Sequence, residues 1–219
     1  MAERRFELRA IDGRVPGPRG QATREKLLKC TADLLEKTSY RDLTVIDIAQ
    51  CAGTSPATFY QYFPDVEGAI ADLAAEMTTA GEELTALIEG SRWRGRAAFD
   101  SALALVDGFL DLWERHRAVL RVVDLATLEG DLRFKNIRTH LLNEVTSSLH
   151  RVILGFKKDG KHPGDLDPMA QAASLVSMLA HVAQHQYGFE FWGIRMEAMR
   201  RSLAGIVFSS VTGSAALRT

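Results

Sequence analysis

Ser55, Pro56, Ala57, Thr58, Phe59, Tyr60, Gln61 and Tyr62 run consecutively, and none of them carries a charge. Four of the eight present hydroxyls and Gln61 an amide. Such groups can hydrogen-bond phosphate oxygens and base edges. A glutamine can pair bidentately with adenine N6 and N7, worth about 1–3 kcal/mol of discrimination. Thr44 supplies one more hydroxyl upstream. Catalytic chemistry finds less support. The chain has no GxSxG, no Walker A loop and no HExxH. Of six histidines, His181 and His185 stand four apart, a metal-compatible spacing, but a helical His pair is more often structural. The sequence implies no enzyme, no metal and no cofactor.

The elements that must position these groups are two short helices and a turn. Val45, Ile48, Ala49 and Ala52 share one face of the first helix. Thr44 and Asp47 have capping-box spacing, in which hydroxyl and carboxylate each take a backbone N–H. Gly53 suits a helix end that needs positive φ. Ser55 followed by Pro56 is a favoured N-cap and first helical residue. Phe59 and Phe63 point to one core, leaving Thr58, Gln61 and Tyr62 partly outward and Tyr60 at the edge. Pro64 ends the second helix. This is the form of a helix-turn-helix, whose second helix enters the major groove.

The formal net charge is −1, so the chain as a whole is no polycation. Residues 1–29, however, carry eight Lys and Arg against four Asp and Glu. Prolines and glycines between Gly13 and Gly20 argue against regular structure there. Residues 1–20 read as a flexible basic arm, either a plain disordered tail or one that orders on DNA with Arg14 and Arg19 at phosphates or the minor groove. Cys30 and Cys51 read as unpaired, reduced thiols, with Cys30 a small core residue. The N-terminus has no apolar run of the signal-peptide kind, and no segment reaches the roughly 18–20 apolar residues that span a bilayer. A cytoplasmic location is expected.

The rest reads as helices. The spacing predicts helix 1 over about 21–38 and a long helix over 66–89 with one apolar stripe from Val66 to Leu87. A helix apolar nearly all round follows over 97–115, then helices over 118–128, 132–156, 168–187 and from about 194 to 210. Helix 97–115 belongs at the centre of its domain. Phe109, Trp113 and His116 near its end, with Met178 and Tyr187, are candidate ligand-binding residues, although each aromatic could equally fill a core. Ala198, Ser202, Gly205 and Ser209 form a small-residue ridge where another helix could approach closely.

Residues 22–75 resemble the DNA-binding domain of TetR-family transcriptional regulators. The resemblance rests on LLKCTADLL, Tyr40, Thr44-Val45-x-Asp47-Ile48-Ala49, Ala52-Gly53, and Ser55-x-x-Thr58-Phe59-Tyr60-x-Tyr62-Phe63-Pro64. It implies a homodimer whose last two long helices pair across a two-fold axis, and a C-terminal domain that binds a small molecule and moves the fourth helix, with polar residues of helix 168–187 such as His181 and Gln184 at the ligand pocket or the dimer seam. By the same resemblance Thr44 and Tyr60 contact phosphate, Ser55, Pro56, Ala57 and Thr58 form the leading turn of the recognition helix, and Gln61 and Tyr62 read bases. The chain departs from the family at Ser39, where Gly is usual, and at Pro56 and Val66, where Lys is frequent. The missing cations place phosphate binding on hydroxyls, helix N-termini and the arm.

The expected architecture is all-α with about nine helices: an arm (1–20), a three-helix helix-turn-helix domain (21–65) and a helical ligand-binding and dimerisation domain (66–219). The expected function is a ligand-responsive regulator, a repressor released from a palindromic double-stranded DNA operator by a small apolar or amphipathic effector. The alternative is a helical small-molecule-binding or scaffold protein whose helix-turn-helix is non-functional.

Overall fold

The computed structural model describes residues 17–162 and 165–214, and among them every regular element is a helix. Ten α-helices occur: α1 Pro18–Leu35, α2 Val45–Cys51, α3 Pro56–Tyr62, α4 Val66–Glu76, α5 Thr78–Glu89, α6 Ala97–Arg115, α7 Arg117–Leu128, α8 Leu132–Lys158, α9 Pro168–His185 and α10 Met196–Thr212. A 3-10 helix, Gln186–Trp192, follows α9.

The helices form two compact units. Of the described residues, the first takes 17–76 together with 118–137, and the second takes 77–117 and those between 138 and 214. The units are therefore not cut at 65/66. α7 and the start of α8 return to the first unit, where Arg41 pairs with Glu129, and Arg133 reaches Asp65 at 3.5 Å. Periodicity along the chain does not encode such a return.

In the first unit, Leu27, Ile48, Phe59, Phe63, Ile70 and Phe134 are essentially removed from water. Each such burial is worth about 1.5–3 kcal/mol before conformational entropy is counted. Phe59 and Phe63, four apart on α3, pack with ring centres 5.3 Å apart. Arg24 of α1 donates to Asp72 of α4 at 2.6 Å and lies over the Phe63 ring. That single guanidinium ties α1 to α4 and to the end of α3.

Several sequence expectations are corrected. Helix α1 begins at Pro18 rather than Gln21, so the last residues assigned to a flexible 1–20 arm are helical. Pro18 needs no amide partner at the first helical position, and its fixed φ suits helix. Residues 1–16, including Arg14, lie outside the described residues. The single helix expected over 66–89 is two, parted at Met77. Val66, Ile70, Met77 and Leu84 are buried as the expected stripe requires, but past the break Leu87 is 37% exposed and Ile88 takes the buried place. Cys30 and Cys51 are not free thiols: they form a disulfide, with Cα atoms 5.9 Å apart. Cys30 is buried as expected, and Cys51 ends α2 at the surface.

In the second unit α6 packs against α5, α9 and α10. Ala102, Leu105, Val106, Phe109 and Leu112 are buried, in keeping with a helix apolar on most sides. Close approach has a sequence cause. A Cβ at Gly108 would stand 2.6 Å from Leu87 Cδ1, and one at Gly81 would stand 2.8 Å from the Leu141 carbonyl oxygen. Thus α5 lies hard against α6 on one side and α8 on another. Arg200 of α10 clamps Asp107 of α6 through two donors, at 2.7 and 2.6 Å, with Glu197 at 2.7 Å.

Candidate nucleic-acid interface and ligand-binding interior

The two short helices are built by local chemistry. Thr44 Oγ1 accepts from Asp47 N–H at 3.2 Å, and Thr44 N–H donates back to the Asp47 carboxylate at 3.1 Å. The capping box is complete. Gly53 takes φ +63°, and Thr54 N–H then closes onto the Ala49 carbonyl at 2.9 Å. Ser55 Oγ accepts from Thr58 N–H at 3.2 Å, and its hydroxyl lies 3.1 Å from that of Thr58. Pro56 occupies the first turn, and the chain leaves α3 extended at Phe63, just before Pro64.

This frame turns the uncharged groups outward. Thr44, Ser55, Pro56, Ala57, Tyr60 and Gln61 are exposed, Thr58 and Tyr62 half-buried. Phe59 supports them from beneath, its ring edge-on to Tyr60 at 5.8 Å. Tyr40 donates to Glu67 at 3.2 Å, and burial together with the Glu67 charge pushes its phenol above the ordinary tyrosine range. Arg19 is exposed in the first turn of α1.

One of the eight cations of residues 1–29 takes a place that the sequence does not assign. Lys26 Nζ on α1 stands 3.6 Å from where a Cβ on Gly53 would be. It hangs over the helix-turn-helix turn. Helical periodicity places Lys26 on the outer face of α1, but only the packing of α1 on α2 brings it to Gly53.

The ligand candidates of the second unit divide between inside and outside. Phe109 and Trp113 are buried on α6 with rings stacked 6.0 Å apart. Trp113 Nε1 and Thr85 Oγ1 are buried without a hydrogen-bond partner. Thr85 lies one turn beyond Gly81, on the α8 side of α5. His116, half-buried at the end of α6, is held below the ordinary histidine range by burial first and by the Arg115 charge second, with Glu83 opposing. Met178 is half-buried on α9. His181 and Gln184 face solvent. The His181 and His185 rings lie 4.2 Å apart, and His185 Nδ1 is 2.9 Å from the His181 carbonyl oxygen. Among the described residues no group of three or more His, Cys, Asp or Glu could hold a metal ion. Tyr187 lies on the surface, its hydroxyl bonded to Glu114 and its ring beneath the Arg117 guanidinium at 4.9 Å.

On α10, Ala198 and Ser202 are exposed, Gly205 and Ser209 half-buried, and Ile206 is 45% exposed between them. A Cβ at Gly205 would meet nothing within 4 Å. α9 presents Ala173, Ser174 and Ser177 to solvent.

A capped helix-turn-helix whose second helix turns uncharged hydroxyls and an amide outward is the build of a DNA-binding protein. The family description "Bacterial regulatory proteins, tetR family" matches residues 27–68, and "Tetracyclin repressor-like, C-terminal domain" matches residues 84–218. The chain belongs to the TetR family, and it is a DNA-binding transcriptional regulator rather than an enzyme. The HTH-type transcriptional regulator EthR of Mycolicibacterium smegmatis is 23% identical over 209 residues, covering 90% of this chain and 89% of its own. Among solved structures, the fatty acid degradation regulator FadR from Bacillus halodurans superposes with a TM-score of 0.65 at 14% identity, over 89% of this chain and 97% of that one. FadR from Bacillus subtilis in complex with stearoyl-CoA gives 0.63 at 15%, over 85% and 98%. These likenesses bear on the fold alone. No helix among the described residues is long and apolar enough to cross a membrane.

Proposed function

We propose that the protein is a homodimeric, cytoplasmic repressor that leaves a palindromic operator when its second unit takes up a small apolar or amphipathic molecule. The observation that carries the DNA half is α3: a helix capped by Ser55, backed by buried Phe59, with exposed Tyr60 and Gln61 and no charge of its own. One such helix reads few base pairs, and a two-fold pair doubles the reading. In this reading Thr44 and Tyr60 bind phosphate, the turn Ser55 to Thr58 sits at the groove edge, and Gln61 and Tyr62 meet bases. Lys26 and Arg19 supply charge, together with Arg14 on the arm.

The effector half is supported by the stacked Phe109 and Trp113 and by the orphaned Trp113 N–H and Thr85 hydroxyl. A buried polar group without a partner costs about 1–3 kcal/mol, which a ligand offering a hydrogen-bond acceptor would recover. His116 and Met178 border this interior in the proposal. His181 and Gln184, exposed on the same side as Ala173 and Ser177, fit the dimer seam better than the pocket. Tyr187 fits the surface beside Glu114. The uncovered ridge of Ala198, Ser202, Gly205 and Ser209 is the dimer face on α10, where small side chains permit a close helix crossing. The stearoyl-CoA held by the Bacillus subtilis FadR is an amphiphile of the proposed kind.

The test is binding to the DNA upstream of the chain's own coding sequence over a salt series, repeated with Gln61→Ala and Tyr60→Phe. A steep salt slope, with Gln61→Ala relaxing sequence preference, is expected. A slope near zero and indifference to both changes would favour the scaffold reading instead.

A further inference from the structure

The loop Ser91-Arg92-Trp93-Arg94-Gly95-Arg96 between α5 and α6 holds three arginines and no acid. It is no loose segment. Trp93 is buried and its Nε1 donates to the Ile88 carbonyl at 3.0 Å. Ser101 Oγ donates to the Arg92 carbonyl at 3.0 Å. The backbone is therefore pinned at Arg92 and Trp93, and Phe99 N–H donates to the Arg96 carbonyl at 3.3 Å, while the Arg92, Arg94 and Arg96 side chains remain exposed.

Two clefts flank this loop, of about 430 and 690 Å³. They share Trp93, Arg94 and Phe156, so they form two arms of one groove. Arg92 and Arg151 line the first arm, Arg96 and Lys161 the second. The floor is apolar: Trp93, half-buried Phe156 and, in the second arm, Phe208. Five cations thus line the groove against one carboxylate, Asp159. Asp159 is already engaged by Arg94 at 3.0 Å and Lys161 at 3.1 Å, and Arg151 pairs with Glu89 at 2.6 Å. Among the described residues Arg92 and Arg96 have no carboxylate partner.

We infer that this groove is a binding site for a single-chain amphipathic anion, a carboxylate or phosphate monoester on an alkyl tail. Two guanidiniums without counter-ions, on a fixed backbone, suit the fork geometry of carboxylate and phosphate. The aromatic floor between them suits the tail. A neutral ligand would leave the guanidiniums unanswered, and a small inorganic anion would leave the floor wet. The site stands apart from the interior around Trp113 and does not depend on that interior's being the effector pocket.

The test is isothermal titration of the full chain with decanoate, decyl phosphate and decanol, each below its aggregation concentration. Both anions are expected to bind, decanol about tenfold more weakly or worse, the scale of one charge-assisted hydrogen bond. Arg92→Gln with Arg96→Gln, both on exposed side chains, should weaken the anions about tenfold. Phe156→Ser should weaken all three probes. Equal affinity for decanol and decanoate, or indifference to the paired arginine change, would overturn the inference. So would binding to phosphatidylglycerol vesicles with none to the monomeric probes, which would make the patch a membrane contact. Loss of decanoate binding in Trp113→Phe alone would place the ligand in the interior and overturn it too.

Discussion

Removing the Asp72 carboxylate tests whether α1 is tied to α4 by charge. The Arg24 side chain is only 9% exposed, and its Nη2 lies 2.6 Å from an Asp72 oxygen. A charge-assisted hydrogen bond contributes about 1.5–3 kcal/mol. Breaking a fully buried pair costs about 3–5 kcal/mol, because the surviving charge is stranded. Asp72 is 46% exposed, so solvent screens the pair and the lower range applies. Asp72→Ala should therefore cost about 1.5–2.5 kcal/mol, which urea unfolding followed by circular dichroism resolves. Arg24→Met keeps the apolar stem against Phe63 and strands only the wetter partner, so it should cost less, about 1 kcal/mol. The double change should cost less than the sum by about 1 kcal/mol, the coupling of the pair. Additivity within about 0.5 kcal/mol would show that the contact is an ordinary surface pair and that apolar packing alone joins the two helices.

Lys26→Ala should lower operator affinity for all sequences alike and reduce the salt slope by about one, as measured by fluorescence anisotropy at several salt concentrations; an unchanged slope would remove Lys26 from the interface. Deleting residues 1–16, which leaves α1 whole, should lower affinity and salt slope in the same assay, and an unchanged affinity and slope would refute the arm's contribution. Reducing Cys30–Cys51, or making Cys51→Ser, should cost about 3 kcal/mol on the chain-entropy rule for a 21-residue separation, read as a lower urea midpoint; equal midpoints with and without reductant would contradict this. His116 is held below its ordinary value of 6.5 in the fold, so the unfolded chain takes up the proton first. Stability is thus full above the unfolded pKa and falls as pH drops from about 6.5 toward the lower folded value. His116→Gln should flatten that part of a stability profile measured between about pH 7.5 and 5.

What the sequence determined by itself is the part of the molecule where partners lie within a few residues. The capping box joins Thr44 to Asp47, Ser55 caps Thr58, and Gly53 and Pro64 punctuate, all at separations that any chain copy must respect. The exposed, uncharged face of α3 follows from those caps and from Phe59 and Phe63 turning inward. The aromatic interior of α6 was legible for the same reason, since periodicity reports a buried stripe. Tertiary structure decided what depends on separations of tens of residues. Pairing Cys30 with Cys51 needs α1 packed on α2, and the Arg24–Asp72 tie spans 48 positions. Lys26 reaches Gly53 only in the folded unit, and α7 joins the first unit only by chain return. The 3-10 helix after α9 shows the limit most plainly: Tyr187, a ligand candidate by sequence, is 45% exposed, and Phe191 and Trp192 in the same helix are 92% and 76% exposed. Periodicity says that a side chain is apolar, and only packing says whether anything covers it. Even the helix-turn-helix owes the cation at its turn to this division, because its own residues carry no Lys or Arg and α1 brings Lys26 to Gly53.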